Sequence, residues 1–196
     1  MTILRYLRQN ITMLMAIPVI SIFSACQDSE SLYCKFPAYF SYSPVTSVPT
    51  LHRACTSLGE FCTITYPPGS KYVIQSPSTP SVTDYIERTA NLNYRDFILG
   101  LGGGLIIGLP SLPEMMAQES QVVCFDLCCP NCYKDYHITK SMTLKTGGIS
   151  ECSSCNRIYD LNSQGIVASG DAGRSLYRYY VSYYAPSMMI TVRNNY

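Results

Sequence analysis

Four cysteines in the second half of this 196-residue chain form two C-x-x-C pairs, Cys129 with Cys132 and Cys152 with Cys155. Two such pairs in succession have the spacing of a tetrahedral four-thiolate zinc site, in which each sulfur lies about 2.3 Å from the ion. The same thiolates can hold an iron–sulfur cluster, and in an oxidising compartment cysteines tend to pair as disulfides. The spacing therefore leaves three fates open: a bound metal ion, an iron–sulfur cluster, or disulfides and free thiols.

The amino terminus bears on that choice, because it indicates the compartment. Residues 1–25 begin with a basic stretch that contains Arg5 and Arg8, continue as an apolar run, and end in small residues before Cys26. This pattern is typical of a secretory signal and is shorter than a membrane span, which needs roughly 20 apolar residues. Its end resembles a bacterial lipobox. We therefore expect removal of residues 1–25, lipidation of Cys26, and a tether over residues 26–35.

The tether carries Asp28 and Glu30 directly after the predicted lipidation site. Acidic residues at this position resemble the surface-export signal of lipoproteins from the Bacteroides group, and an ordinary polar tether has the same composition. The lipid anchor makes the membrane a partner. It predicts an outer-membrane protein on either the cell surface or the periplasmic face.

The charge of the chain is nearly balanced, with 14 basic and 13 acidic side chains and no run of like charges. This balance argues against nucleic-acid binding, which needs a clustered basic face. Apolar residues make up 47% of the chain, which suffices for one folded domain, predicted over residues 36–196. The 17 tyrosines and the absence of tryptophan are typical of a tyrosine-rich β protein.

Short apolar runs between Pro, Gly, Ser and Thr clusters predict an all-β domain. Residues 121–128 alternate between two faces, so Cys124 and Cys128 are expected to be small packing side chains of a strand. The glycine-rich run at residues 100–104 lacks a following Gly-Lys-Ser/Thr, and we predict a tight turn in an apolar layer rather than a phosphate loop. The polar segment 76–96 is predicted to be a surface loop.

Two further groups of residues are candidates for function. Tyr177, Tyr179 and Tyr183 alternate along a predicted strand and are expected to pack across strands rather than form a sugar-binding platform. Cys55 and Cys62 are close enough in the sequence to form a local disulfide.

The segments CFDLCCPNC, at residues 124–132, and ECSSCNRIYDLNSQG, at residues 151–165, follow one another in the order found in a Rieske iron–sulfur domain. Over about residues 97–194 the chain resembles that family, in which a C-P-H loop and a C-P-x-H loop hold a [2Fe–2S] cluster. The resemblance implies a Rieske-like antiparallel β-sandwich with two cysteine-bearing hairpin loops. It also implies that Cys129 and Cys152 are the cysteine ligands.

The chain departs from the family at both histidine ligands. Asn131 stands where the first loop should have a histidine, and Cys155 replaces the histidine of the second loop. The two histidines of the chain, His52 and His137, lack the motif spacing. A cluster held by four thiolates would carry more negative charge than a Rieske centre, and its reduction potential should therefore be lower.

Together these features predict a cell-envelope lipoprotein whose cysteine loops bind an iron–sulfur cluster or zinc and serve electron transfer, with a redox or envelope protein as partner. The alternative is a non-redox binding or structural module that has no metal and is stabilised by disulfides. Catalysis is the weakest hypothesis, because no G-x-S-x-G, H-E-x-x-H or phosphate loop is present. The carboxylates of Asp126, Asp160 and Asp171 are expected at strand ends and turns.

Overall fold

The computed structural model describes residues 33–68, 71–87, 97–112 and 121–194. The predicted signal peptide and Cys26 lie outside the described residues, as does most of the predicted tether. All of the described residues belong to one compact unit, Leu32–Tyr196. Within this described part of the chain, no helix is both long and apolar enough to cross a membrane.

Twelve β-strands, two α-helices and three short 3₁₀ helices form the regular structure of the described residues. The strands are β1 (Tyr39–Tyr42), β2 (Glu60–Thr65), β3 (Tyr72–Gln75), β4 (Thr83–Ile86), β5 (Gly104–Leu109), β6 (Val123–Asp126), β7 (Thr143–Lys145), β8 (Ile149–Glu151), β9 (Ile158–Asp160), β10 (Ile166–Ser169), β11 (Arg178–Tyr184) and β12 (Met189–Arg193). The α-helices are α1 (Pro49–Thr56) and α2 (Pro130–Tyr136), and the 3₁₀ helices cover Val45–Ser47, Leu161–Ser163 and Ala185–Ser187. This content confirms the predicted all-β class.

The strands form two antiparallel sheets. The large sheet has eight strands in the order β1-β12-β11-β6-β5-β2-β3-β4, and the small sheet has four in the order β10-β9-β8-β7. The small sheet and α2 are built from the chain between β6 and β11, which are neighbours in the large sheet. The chain thus leaves the large sheet, forms a second layer, and returns beside the strand it left.

The central strands of the large sheet are buried on both faces, and alternate residues face two different cores. In β6, Cys124 faces the first core, whereas Val123 and Phe125 face the second. Buried residues of β1 and β12 at one end of the sheet and of β3 and β4 at the other share the first core with α1, so the large sheet curls around it. The second core lies between the two sheets and includes Tyr159 of β9. These two layers form the antiparallel sandwich expected from the sequence.

The tyrosine-rich strand β11 packs as predicted. Tyr179 is buried in the first core, and Tyr183 packs against the same core. Tyr177, just before the strand, stands edge-on to Phe36 with 5.0 Å between the ring centroids. These rings therefore contribute to packing.

The segment 76–96 was predicted to be a loop, and that prediction was wrong for β4, which lies near its centre. β4 is an edge strand of the large sheet, its Ile86 is buried in the first core, and Asp84 Oδ2 accepts a 2.7 Å hydrogen bond from the backbone N–H of Thr50. An edge strand with one solvent-facing side carries many of the polar residues that are typical of loops, which explains the error. Residues 88–96 lie outside the described residues.

Candidate metal centre

The first cysteine loop, residues 127–142, begins directly after β6. Two antiparallel backbone hydrogen bonds close its base, one from the N–H of Met142 to the carbonyl of Leu127 and one from the N–H of Cys129 to the carbonyl of Lys140, both 2.8 Å. The loop is therefore built like a hairpin, as the sequence resemblance implied.

The tip of the first cysteine loop is the short helix α2. Pro130 occupies the first helical position, where its fixed φ suits the helix and its missing N–H costs no hydrogen bond. The helix ends at His137, whose φ of 56° is left-handed. As a result Cys129 immediately precedes the helix, and Cys132 lies on its first turn.

The second cysteine loop, residues 151–158, is the turn between β8 and β9. The N–H of Cys152 donates to the carbonyl of Arg157 at 3.0 Å, and the N–H of Asn156 donates to the carbonyl of Cys152 at 2.8 Å. Asn156 has a left-handed φ of 55°, a conformation that asparagine tolerates better than most residues. This loop is a hairpin tip, as expected.

The two loops bring together Cys129, Cys132, Cys152 and Cys155, here called the thiol cluster. All four Sγ atoms lie within 4.8 Å of one another. The Sγ atoms of Cys129 and Cys155 are 3.7 Å apart, and those of Cys132 and Cys152 are 3.6 Å apart. Four sulfurs at about 2.3 Å from a central zinc ion would be separated by about 3.8 Å along each tetrahedron edge. The thiol cluster has nearly this spacing, so it could hold one metal ion.

None of these sulfur contacts is a disulfide, since a disulfide bond measures about 2.05 Å. The nine cysteines in the described part of the chain are all free. The local bridge considered between Cys55 and Cys62 is therefore absent from the structure. Both of these thiols are buried.

The thiol cluster is closed towards the second core and open towards solvent on one side. Cys129, Cys132 and Cys152 are buried, whereas Cys155 is half-buried. Burial raises the pKa of the Cys132 thiol far above its usual range. Burial also raises the pKa of Cys129, although hydrogen bonds from the Tyr159 hydroxyl and the Cys132 backbone N–H oppose the shift. These two thiols are neutral near pH 7 without a metal, so a metal ion must displace their protons.

Tyr159 is a hydrogen-bond donor to the thiol cluster. Its hydroxyl accepts a 2.9 Å hydrogen bond from Asn131 Nδ2 and lies 3.2 Å from Cys129 Sγ. Because Asn131 supplies the donor on one side, the tyrosine proton is free to point at the sulfur. A hydroxyl in this position stabilises a thiolate ligand.

Arg157 lies beside Cys155, the half-buried member of the cluster. Its Nε donates to the carbonyl of Asp171 at 2.9 Å, which anchors the guanidinium beside the second cysteine loop. Burial raises the pKa of Cys155, but hydrogen bonds from the backbone N–H and the guanidinium of Arg157 outweigh that effect and lower the pKa to about 7. Of Cys129, Cys132 and Cys155, the Cys155 thiol therefore ionises most readily, because its pKa alone is lowered.

Asn131, which stands where the resemblance to a Rieske domain predicts a histidine ligand, has a structural role. Its Oδ1 accepts a 2.9 Å hydrogen bond from the N–H of Arg174, and its Nδ2 donates to the carbonyl of the same residue at 3.0 Å. Gly173 leaves room for this contact, since a Cβ there would lie only 2.5 Å from Asn131 Oδ1. Asn131 thus fastens the segment after β10 to the first cysteine loop.

Asp126 fixes the start of the first cysteine loop. Its Oδ1 accepts from the N–H of Cys128 at 2.7 Å and of Gly102 at 3.2 Å, while its Oδ2 accepts from the N–H of Leu101 and the hydroxyl of Tyr179, both at 2.6 Å. Burial raises the pKa of this carboxyl, and the four hydrogen bonds oppose the shift. The predicted glycine turn therefore wraps a buried carboxylate rather than a phosphate. Sequence reasoning placed Asp126 at a strand end and missed this role.

Several residues considered from the sequence lie elsewhere. Cys124 faces the first core, and Cys128 is buried beside Asp126, so neither belongs to the thiol cluster. His52 lies on α1 and His137 at the end of α2, and in the described part of the chain no histidine joins the group of possible metal ligands. The predicted lipidation site Cys26 lies outside the described residues.

The fold and this site define an all-β protein with a four-cysteine group suited to binding a metal ion. Comparison of the chain with models of known protein families and with curated proteins found no match.

Proposed function

We propose that the thiol cluster binds a single zinc ion, which clamps the two cysteine loops together at one end of the second core. The observation that carries this proposal is the mutual spacing of the four Sγ atoms, with 3.6 and 3.7 Å in the two direct contacts. That spacing is close to the edge of one tetrahedron of thiolates around one ion.

The same spacing favours one metal ion over a [2Fe–2S] cluster. In that cluster two irons are bridged by sulfide, and each iron carries two of the four protein ligands. Ligands on different irons are therefore further apart than ligands on one ion. A set of four sulfurs that all lie within 4.8 Å of one another surrounds a single centre.

Zinc is the ion that this environment suits best. Four protein thiolates complete a tetrahedron and leave no open position, as in structural zinc sites. Zinc also binds a given set of ligands more tightly than ferrous iron does. The domain would then act as a rigid binding or structural module, and the ion would stabilise the loops rather than react.

A single iron in the same four thiolates is the second candidate, and it would make the protein an electron carrier. Hydrogen bonds to ligand sulfurs tune the reduction potential of iron–sulfur centres. The Tyr159 hydroxyl lies at hydrogen-bond distance, 3.2 Å, from Cys129 Sγ, and Arg157 lowers the pKa of Cys155. Iron would also give visible absorption, which zinc does not.

We also infer a Rieske-like origin and a lipid anchor at Cys26. The origin is supported by two adjacent cysteine loops carried on a small sheet that is inserted between β6 and β11. The anchor is supported by the basic, apolar and small-residue pattern of residues 1–25. Cys26→Ala should release the protein from the membrane fraction, and an Ala variant that still sediments with membranes would argue against lipidation.

The metal proposal is tested by elemental analysis and visible absorption of the full chain purified without oxygen. We expect one zinc ion per chain and no visible band. One iron without acid-labile sulfide would support the electron carrier. Two irons with stoichiometric sulfide would contradict a single-ion site, and protein that takes up no metal would favour the disulfide-stabilised module.

A further inference from the structure

We propose that Cys155 is the site at which hydroperoxides attack the thiol cluster, and that Cys129 is the thiol that resolves the oxidised product. Oxidation then joins the two cysteine loops by a disulfide. This inference deepens the proposed zinc site, because it states what oxidation does to that site. It rests on the zinc proposal only for the release of metal.

Cys155 is the member of the cluster that solvent reaches. It is half-buried, whereas the side chains of the other three cysteines are at most 3% exposed. The susceptibility of a cysteine to peroxide follows its exposure. Solvent access therefore selects Cys155 as the thiol that a hydroperoxide reaches first.

Cys129 is placed to complete the reaction. Its Sγ lies 3.7 Å from Cys155 Sγ, so the two atoms need to approach by only about 1.6 Å to reach disulfide length. The second contact, between Cys132 and Cys152 at 3.6 Å, is arranged in the same way. Both contacts run from one loop to the other. The structure therefore pairs the thiols across the loops rather than within each C-x-x-C motif.

The oxidation proceeds in two steps. The Cys155 thiolate attacks one peroxide oxygen, the O–O bond breaks, and a sulfenic acid and hydroxide form. The Cys129 sulfur then attacks the sulfenic sulfur, an S–S bond forms, and the leaving hydroxide takes up the Cys129 proton as water. The two sulfurs have lost two electrons to one peroxide, which with the two thiol protons becomes two waters. A second peroxide oxidises Cys132 and Cys152 in the same way.

Oxidation would replace the zinc ion by disulfides as the link between the two cysteine loops. Thiolates bind zinc, and disulfide sulfurs do not supply that ligand, so the ion leaves as the bonds form. The disulfides then hold the same two loops at the same place. The same two loops are therefore joined by zinc under reducing conditions and by disulfides under oxidising conditions.

Connectivity mapping tests the proposal. The full chain, zinc-loaded in one sample and chelator-stripped in another, is treated with one equivalent of hydrogen peroxide, alkylated with iodoacetamide, and analysed by peptide mass spectrometry. We expect Cys129–Cys155 as the first disulfide in both samples, and Cys132–Cys152 as the second when more peroxide is added. A first disulfide within either C-x-x-C motif would overturn the proposal.

Two serine variants sharpen the test on chelator-stripped protein. Cys155→Ser should slow the first peroxide oxidation in the cluster at least about tenfold, because the remaining thiols are buried. Cys34→Ser is the matched control, since Cys34 is the other cysteine of the described residues that is not buried and it lies outside the cluster. The control should form Cys129–Cys155 at the rate of the unmodified chain. Equal rates in all three proteins would contradict attack at Cys155.

The outcomes for the two proposals are separable. Metal content is measured before oxidation and reports on the zinc site alone, whereas disulfide connectivity in the stripped protein reports on the thiol pairing alone. Zinc binding followed by disulfides within the motifs would leave the metal proposal standing and remove this one. Absence of zinc with a Cys129–Cys155 bond would do the reverse.

Discussion

Two sets of thiols in this molecule differ in their spacing: those of the large sheet and those of the thiol cluster. Cys62 of β2 and Cys124 of β6 both face the first core, and both pair in register with Ile107 of β5, which lies between them. Strands are about 4.8 Å apart, so these thiols are separated by about 10 Å and cannot share an ion. The four Sγ atoms of the thiol cluster all lie within 4.8 Å of one another. Strand spacing keeps cysteines apart, while converging loops bring them together.

The two sets also differ in what acts on their acidity. Burial raises the pKa values of Cys62 and Cys124 well above the usual range. In the thiol cluster burial also raises the pKa of Cys132, whereas hydrogen bonds from Arg157 lower the pKa of Cys155 to about 7. The sheet thiols therefore behave as small apolar side chains, and the thiol cluster contains one thiol that ionises near neutral pH.

Replacing one thiol of each set by a hydroxyl should change zinc affinity in one variant and stability in the other. Cys132→Ser should reduce zinc affinity by more than about 100-fold, because changes behind the ligands already alter affinity by 10- to 100-fold. Cys124→Ser should retain the metal and lower the free energy of unfolding by about 1–3 kcal/mol, since its hydroxyl is buried without an assigned partner. Competition with a chromophoric chelator and denaturant unfolding provide the two measurements. Equal metal affinity of the two variants would contradict the assignment of metal binding to the thiol cluster alone.

The second prediction concerns pH. Near pH 7–8 the metal-free thiols of Cys129 and Cys132 are protonated because their pKa values are raised, so zinc must displace at least two protons. The apparent dissociation constant should then rise at least about 100-fold for each unit by which the pH falls. Below pH 7 the dependence should steepen, because Cys155, with its pKa of about 7, also takes up a proton.

Chelator competition at pH 6, 7 and 8 measures this slope, and Cys124→Ser should reproduce it because the sheet thiols take no part. A change of less than about tenfold per pH unit would mean that the loop thiols are already ionised before metal binds.

Removal of the Tyr159 hydroxyl should have a smaller effect on zinc affinity. Tyr159→Phe deletes the donor to Cys129 and should weaken zinc binding by about tenfold. Tyr183→Phe is the matched control, because the Tyr183 hydroxyl contacts Met188 Sδ in the first core and no cluster sulfur. Equal zinc affinity of the two variants would show that the Tyr159 hydroxyl contributes only to packing.

Parts of this molecule could be predicted from the sequence because they depend on local spacing. Each C-x-x-C motif places two thiols on one turn, and alternation along residues 121–128 correctly assigned Cys124 to packing. β4 was missed because its residues are as polar as a loop. The roles of Asn131 and Arg157 were also missed, since their partners lie 43 and 14 residues further along the chain. Contacts of that kind depend on how the loops fold back, which no local pattern records.

The carboxylate of Asp126 has a consequence for how the first cysteine loop opens. It holds the N–H of Cys128 at 2.7 Å and is itself held by Tyr179 and the glycine turn, all independently of any metal. Removal of the proposed zinc ion should therefore let the tip move while the base stays attached to the large sheet. In amide hydrogen–deuterium exchange, the N–H of Cys128 should stay protected in the stripped protein while amides of α2 exchange faster. The loop would then hinge between Cys128 and Pro130.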